Sequence, residues 1–353
     1  MLENLVRQLD LTFDSINDFK NITNKPKIVV IGDIVSDSFV TGETARISPE
    51  APVPILNVKN RKLVPGMAAR IALDLAALGS AVKLVGVVGS DVSGANIIGL
   101  CNKNKVVPPY VRADYKTEVI TKYFTTTGQQ LLQVENSDNF LSADVRDTIF
   151  AALTDALIEN MDAVVVYDCN RGYVYKDLWK IVVASKLPCF LICSPEALLG
   201  YKRSNLHERP EFMMLQLNEL AFKASGGGVS SRGILKQLDS FNNYCDNDFD
   251  ELLIIRGKAG MTLICKDARE QLNLNGVKFG LYNPLTSSNT TFSTYVHCKA
   301  SGMKPERAAF IANIAASMTV EYYNAVSILR SELLSMLNNY AHNIRSSMHP
   351  SKS

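Results

Sequence analysis

Two carboxylate-bearing segments have residue types and spacing suited to chemistry. The run KIVVIGD, Lys27–Asp33, is β-branched and ends in Gly-Asp, with Asp37 four residues further on. Such a run predicts a buried parallel strand, and open α/β sheets place their ligand crevice beyond the C-terminal ends of such strands. Asp33 and Asp37 are therefore candidate ligand groups. The competing reading has them capping the following segment or pairing with Arg46 or Arg70. A second run, MDAVVVYD, ends in Asp168, which could instead cap a turn before Gly172. Metal chemistry is not expected. His207, His297, His342 and His349 lack ligand spacing, and the seven cysteines are odd in number with no CxxC. The Gly226-Gly227-Gly228 run lacks the GK[ST] of a phosphate loop and reads as a connector.

The elements that must position these groups follow from length and patterning. A chain of 353 residues, 47% hydrophobic and 20% charged, suits one large α/β domain or two small ones. Lys and Arg number 37 against 35 Asp and Glu, a net charge of +2, which excludes a chain built on a basic field for nucleic acid. The most apolar region, Ile71–Leu100, is interrupted by Asp74, Lys83 and Asp91, so no membrane span is expected. The N-terminus, MLENLVRQLD, carries acids early and reads as neither a secretory signal nor a transit peptide. Unpaired cysteines point to reduced thiols in a cytosolic-type compartment.

Leu5, Leu9, Phe13 and Ile16 predict an amphipathic helix over residues 3–20. Residues 66–79 predict a helix of small residues stopped by Gly79, followed by a strand at Lys83–Gly89. Residues 38–64, with Pro49, Pro52 and Pro54, read as edge strands and turns. Residues 117–135 read as a hairpin turning near Thr127-Gly128. Further strands are expected at the run ending in Asp168 and at 189–193, 214–219, 251–257 and 260–265. Helices are expected at 143–160, 175–186 and 231–241, from near Thr290 through Tyr323 with a break near Gly302, and at 327–341. This alternation is that of an α/β doubly wound sheet, with the two excursions, about 39–64 and 117–135, pairing into a small lid. The expected organisation is an N-terminal helix over 1–26, one domain over 27–333, and a helix end with a polar tail over 334–353.

Arg46–Pro54 reads RISPEAPVP, between IVVIGDIVSD at 28–37 and GMAARIALDLAALGSAVKLVGVVGSD at 66–91. The arrangement resembles the ribokinase-like (PfkB-type) carbohydrate kinases, in particular the bacterial heptose-7-phosphate kinases of lipopolysaccharide core synthesis. The resemblance continues through TTTGQQLLQVE at 125–135, NEL at 218–220, IIRGKAGMTL at 254–263 and FIANIAA at 310–316, and spans about residues 26–333. It implies a three-layer α/β/α fold with a β lid.

The resemblance also implies which positions carry chemistry. In the family a Gly-Ala-Gly-Asp motif opens a helix; its N–H groups cradle the transferring phosphoryl group and its Asp is the base. Here the matching positions hold Thr286, Ser287, Ser288 and Asn289. An amide cannot take a proton near neutral pH, and the lost glycines allowed a close backbone approach. The sugar-side Gly-Gly…Asn pattern reads Gly66, Met67 and Arg70. Asp33 and Asp37 match sugar-hydroxyl ligands, and Lys122 sits on the lid where a cation could meet a sugar phosphate. Arg70 is expected to turn toward Asp33 or Asp37 and close the pocket from within. On the nucleotide side, the Asn-x-x-Glu motif reads Gln216 to Glu219. Arg256 follows Ile255 where a Thr is usual, and Asp168, Gly260 and Asn313 match. Cys193-Ser194-Pro195 replaces an Asp-Pro-Lys segment.

The expectation is a catalytically degenerate kinase-like chain kept as a binding or structural subunit. It would need no cofactor and would act as a homo-oligomer through the lid or in a hetero-assembly, with no membrane partner. The alternative is an active ATP- and Mg2+-dependent sugar kinase with an atypical site. The chain ends about twenty residues after the kinase-like region, so no companion nucleotidyltransferase is expected.

Overall fold

A computed structural model describes residues 2–135, 141–194, 197, 213–218, 249–266, 271–276, 284–318 and 327–348. In chain order the elements open with α1 (Leu2–Lys20), β1 (Lys27–Gly32), β2 (Ile34–Ile47), β3 (Pro54–Gly66) and α2 (Met67–Leu78). Next come β4 (Ala81–Val85), β5 (Val87–Gly89), α3 (Val92–Lys103), β6 (Tyr110–Arg112), β7 (Glu118–Thr125) and β8 (Gln130–Glu135). Then follow α4 (Ala143–Ile158), β9 (Ala163–Asp168), α5 (Lys176–Ala184), β10 (Cys189–Cys193), β11 (Met213–Asn218), β12 (Glu251–Ile255), β13 (Met261–Cys265) and β14 (Leu272–Leu274). Three further described helices are α6 (Pro284–Ala300), α7 (Pro305–Met318) and α8 (Arg330–Met348).

Runs such as KIVVIG and AVVVYD are apolar on both faces and must be covered on both. They form the interior of a sheet ordered β14-β13-β12-β11-β10-β9-β1-β4, parallel from β4 to β12 and antiparallel at β13 and β14. Side chains alternate across it. Ile28, Val30 and Val165 pack with Ile71 and Leu75 of α2, Phe292 and Tyr295 of α6, and Ile311 of α7. Val29, Ile31, Val164 and Val166 pack with Ile149 and Leu153 of α4 and with Leu178 and the buried Trp179 of α5. The result is the ribokinase-like three-layer arrangement, a mixed central sheet with helices on both sides.

Helix α1 is tied into the first layer. Arg307 of α7 pairs with Asp14 at 2.5 Å and Asp18 at 2.6 Å, and Arg330 donates to the Phe19 and Ile22 carbonyls at the end of α1.

The two β-rich excursions form a separate sheet ordered β3-β2-β7-β8. Strand β2 runs antiparallel to β3, with register shifts at Thr41/Gly42 and Thr44/Arg46, and parallel to β7. Pro54 opens β3, a position where proline forfeits no interior ladder bond.

Several boundaries differ from the sequence reading. Helix α6 starts at Pro284, not near Thr290, because proline is favoured in the first helical turn where its missing N–H has no intrahelical partner. The last helix, expected at 327–341, spans Arg330–Met348 and so takes in the first residues of the tail. Short β6 and β14 were not anticipated. The helix expected at 231–241 and Cys245 lie outside the described residues. No described helix is long and apolar enough to cross a membrane, and the described cysteines are free thiols.

Candidate functional site at the C-terminal edge of the sheet

Gly32, at the end of β1, has φ +141, and a Cβ there would lie 1.9 Å from the Tyr167 carbonyl oxygen; this close approach lets the chain leave β1 beside β9. Asp33 follows directly and is fully buried. Its Oδ2 accepts the Cys169 N–H at 2.6 Å, while Oδ1 has no hydrogen-bond partner among the described residues. Burial, and then the neighbouring Asp168, push its carboxyl up to about 7, against the opposing pull of the Cys169 N–H and Arg171. Asp168 accepts the Asn170 N–H at 2.8 Å, which is the turn-capping role considered for it.

Asp37 lies on β2 opposite Val64 of β3 and Ile120 of β7. Its Oδ1 is 2.7 Å from Lys122 Nζ, in a pair largely shielded from solvent. Lys122 Nζ also lies 5.4 Å from the centre of the Phe39 ring, within cation–π range. Gly66 stands against the same carboxylate, since a Cβ there would be 2.7 Å from Asp37 Oδ2. Met67 makes an isolated β-bridge with Ile34, and the Ala68 N–H donates to the Asp33 carbonyl at 3.0 Å. Asp33, Asp37, Gly66, Met67 and Lys122 thus meet where lid and sheet join. Met67 holds φ +48, a left-handed conformation unusual for a side chain with a Cβ.

Arg70 does not pair with Asp33 or Asp37 as anticipated. Its Nε is 2.9 Å from Asp74 Oδ1, one helical turn along α2, and both side chains are buried. The helical i,i+4 spacing brings these two together whatever the crevice holds, and Asp37 has already paired with Lys122.

A second group gathers where β11 meets α6. The Gln216 side-chain amide donates to Ser288 Oγ at 3.1 Å. Thr286, Ser287, Ser288 and Asn289 all lie within helix α6. In a helix begun at Pro284, the Ser288 and Asn289 N–H groups fall to carbonyls one turn back, at Pro284 and Leu285. Glu219 lies outside the described residues.

A third group sits at the β13 edge. The Arg256 N–H donates to the Gly260 carbonyl at 2.8 Å, closing a 3-10 turn over Gly257–Ala259. Gly260 has φ +94, and a Cβ there would lie 2.1 Å from the Leu274 carbonyl oxygen, so the turn requires glycine. Asn313 of α7 donates to the Asn275 carbonyl at 2.8 Å.

Sequence reasoning missed Asp74 and Arg171. Asp74 was legible as an i+4 partner of Arg70. Arg171 is joined by space alone to Glu118 and Glu135 of the lid. Among the described residues, no group of three or more His, Cys, Asp or Glu could hold a metal.

A doubly wound sheet with a four-stranded lid over carboxylates at its C-terminal edge is the architecture of the ribokinase-like fold. The pfkB family of carbohydrate kinases matches residues 25–331, and the chain belongs to that family. Among relatives, the bifunctional protein HldE of Shewanella sp. strain MR-4 is 29% identical over 314 residues, covering 89% of this chain. The chain spans only 64% of that relative's length. The HldE protein of Shewanella piezotolerans is 30% identical over 325 residues. The ribokinase of Arabidopsis thaliana, solved with ribose and ATP, aligns with a TM-score of 0.68 at 16% identity, covering 89% of this chain and 99% of its own. The Giardia lamblia ribokinase aligns with 0.69 at 14% identity, covering 90% of this chain and 100% of its own.

Proposed function

We propose that this pfkB-family chain is a catalytically degenerate sugar-kinase-like protein, retained as a binding or structural subunit. The observation that carries the reading is Asn289, with Thr286–Ser288 before it, inside helix α6 and Ser288 bonded to Gln216. A phosphoryl cradle needs free N–H groups and a base. An amide is not a base, and N–H groups at 288 and 289 already have helical acceptors. The residues at 286–289 therefore fit a transferring phosphate of ATP poorly.

The lid supports a partner role. Leu132 and Val134 are exposed on edge strand β8, and Ile47 and Val53 at the turn of the β2–β3 hairpin. An exposed apolar edge pairs readily with another chain. We propose that the lid docks on a second copy or on another protein. Sedimentation as a monomer at every accessible concentration, together with no co-purifying protein, would count against it.

A second reading, an active kinase acting on a heptose phosphate or related sugar, draws support from Asp33, Asp37 and Lys122. These are kept together where the lid joins the central sheet. In that reading Asn289 would orient the acceptor hydroxyl in a loose transition state. Calorimetric titration with ATP, with and without Mg2+, together with a turnover assay on sugar phosphates, separates the two. No heat and no turnover is the expected result; turnover near 1 s⁻¹, within the range of competent enzymes, would establish the second.

A further inference from the structure

Arg171 stands on the bend between β9 and α5 and reaches from the central sheet to the lid. Its guanidinium pairs with Glu118, the first residue of β7, and at 2.6 Å with Glu135, the last residue of β8. These carboxylates sit at the base of one hairpin, where Ile120 lies opposite Glu135. A single cation therefore ties the base of both strands of the hairpin to the β9–α5 bend, in addition to the ladder that joins β7 to β2.

The bend presents that cation rigidly. Asn170 and Gly172, on either side of it, both have left-handed φ, at +62 and +88. The Asn170 N–H is held by Asp168 and the Cys169 N–H by Asp33. The Arg171 side chain is 17% exposed and that of Glu118 5%, so water substitutes poorly if the pair separates. Beside the base of the hairpin Asp33 is fully buried, and Lys122 of β7 pairs with Asp37 of β2.

We propose that Arg171 is the latch of the lid: its two ion pairs hold the β7–β8 hairpin down over the Asp33–Asp37 crevice, and their separation opens it. The device does not depend on whether phosphoryl transfer occurs. It acts through local opening, which amide hydrogen exchange reads directly.

The test compares the full-length protein with Glu135→Gln, Arg171→Gln and the double variant by hydrogen exchange. Glu135→Gln removes only the more exposed carboxylate, and this mild variant keeps the test valid if Arg171→Gln folds poorly. The expected result is exchange about three- to tenfold faster over 118–125 and 130–135, unchanged exchange in β1 and α2, and no further gain in the double variant over Arg171→Gln. Unchanged exchange in the hairpin, acceleration spread evenly over the molecule, or additive effects of the two substitutions would each overturn the proposal.

Discussion

Gln216 on β11 and Ser288 in the second turn of α6 are joined by a 3.1 Å hydrogen bond spanning 72 positions of sequence. The bond matters because it ties the central sheet to the helix segment where the family keeps its phosphoryl cradle. Restoring the acid alone leaves this arrangement standing. Asn289→Asp is therefore expected to show no sugar-dependent ADP release above background. A coupled assay checks this, and turnover approaching about 1 s⁻¹ in that variant would sink the degenerate-site reading.

The Arg70–Asp74 pair gives a stability prediction. Removing one member of a buried ion pair strands the other, at about 3–5 kcal/mol. Arg70→Ala is expected to lose stability on that scale. The double change Arg70→Met with Asp74→Leu should recover most of it, because no buried charge is left alone. Urea denaturation of the three proteins decides the matter; equal losses in single and double variants would mean that the pair is not the cause.

Met67 keeps a left-handed backbone at φ +48 in the place where related kinases carry glycine. The conformation costs a residue with a Cβ roughly 1–2 kcal/mol, while glycine carries about 0.5–1 kcal/mol of extra chain entropy. Met67→Gly is therefore expected to stabilise the protein by about 0.5–1 kcal/mol. A drop in denaturation midpoint would show that thioether packing outweighs the backbone term.

Asp33 and His297 oppose one another in pH dependence. Burial, then Asp168, raise the Asp33 carboxyl from 3.8 to about 7, so the folded state holds a proton that the unfolded chain has released. Its contribution is fully present below about 3.8 and is lost as pH rises toward 7. Burial, then Arg330, lower His297 from 6.5 to about 4, and its ring bonds Ser80 Oγ through Nδ1 at 2.8 Å. That contribution is present above 6.5 and is lost as pH falls toward 4. The two slopes nearly cancel between about pH 4 and 6.5. Asp33→Asn should make stability fall on acidification across this window, and His297→Gln should make it rise. Parallel curves for both variants and the parent would refute the assignment.

The sheet was legible because its strands are unbroken apolar runs of strand length, such as KIVVIG, AVVVYD and CFLIC. The crevice carboxylates were legible because those runs end in them. The start of α6 was not, since Thr286–Asn289 are poor helix formers by propensity and only Pro284 signals a first turn. Arg70 was misassigned for a different reason. Its partner lies four residues along its own helix, where the local i,i+4 spacing wins over a long-range pairing. The contacts of Arg171 with residues 53 and 36 positions away depend on how the lid folds back, which no local pattern encodes.

The chain carries a single tryptophan, and Trp179 of α5 is buried in the layer that α5 forms with α4. Its emission therefore reports from the helical face that includes neither α2 nor the lid. A blue-shifted spectrum that stays constant while hydrogen exchange in the hairpin accelerates would register lid opening as optically silent. The fluorescence unfolding transition would then time the loss of one helical layer, and a dye placed on the lid would be needed to observe the crevice.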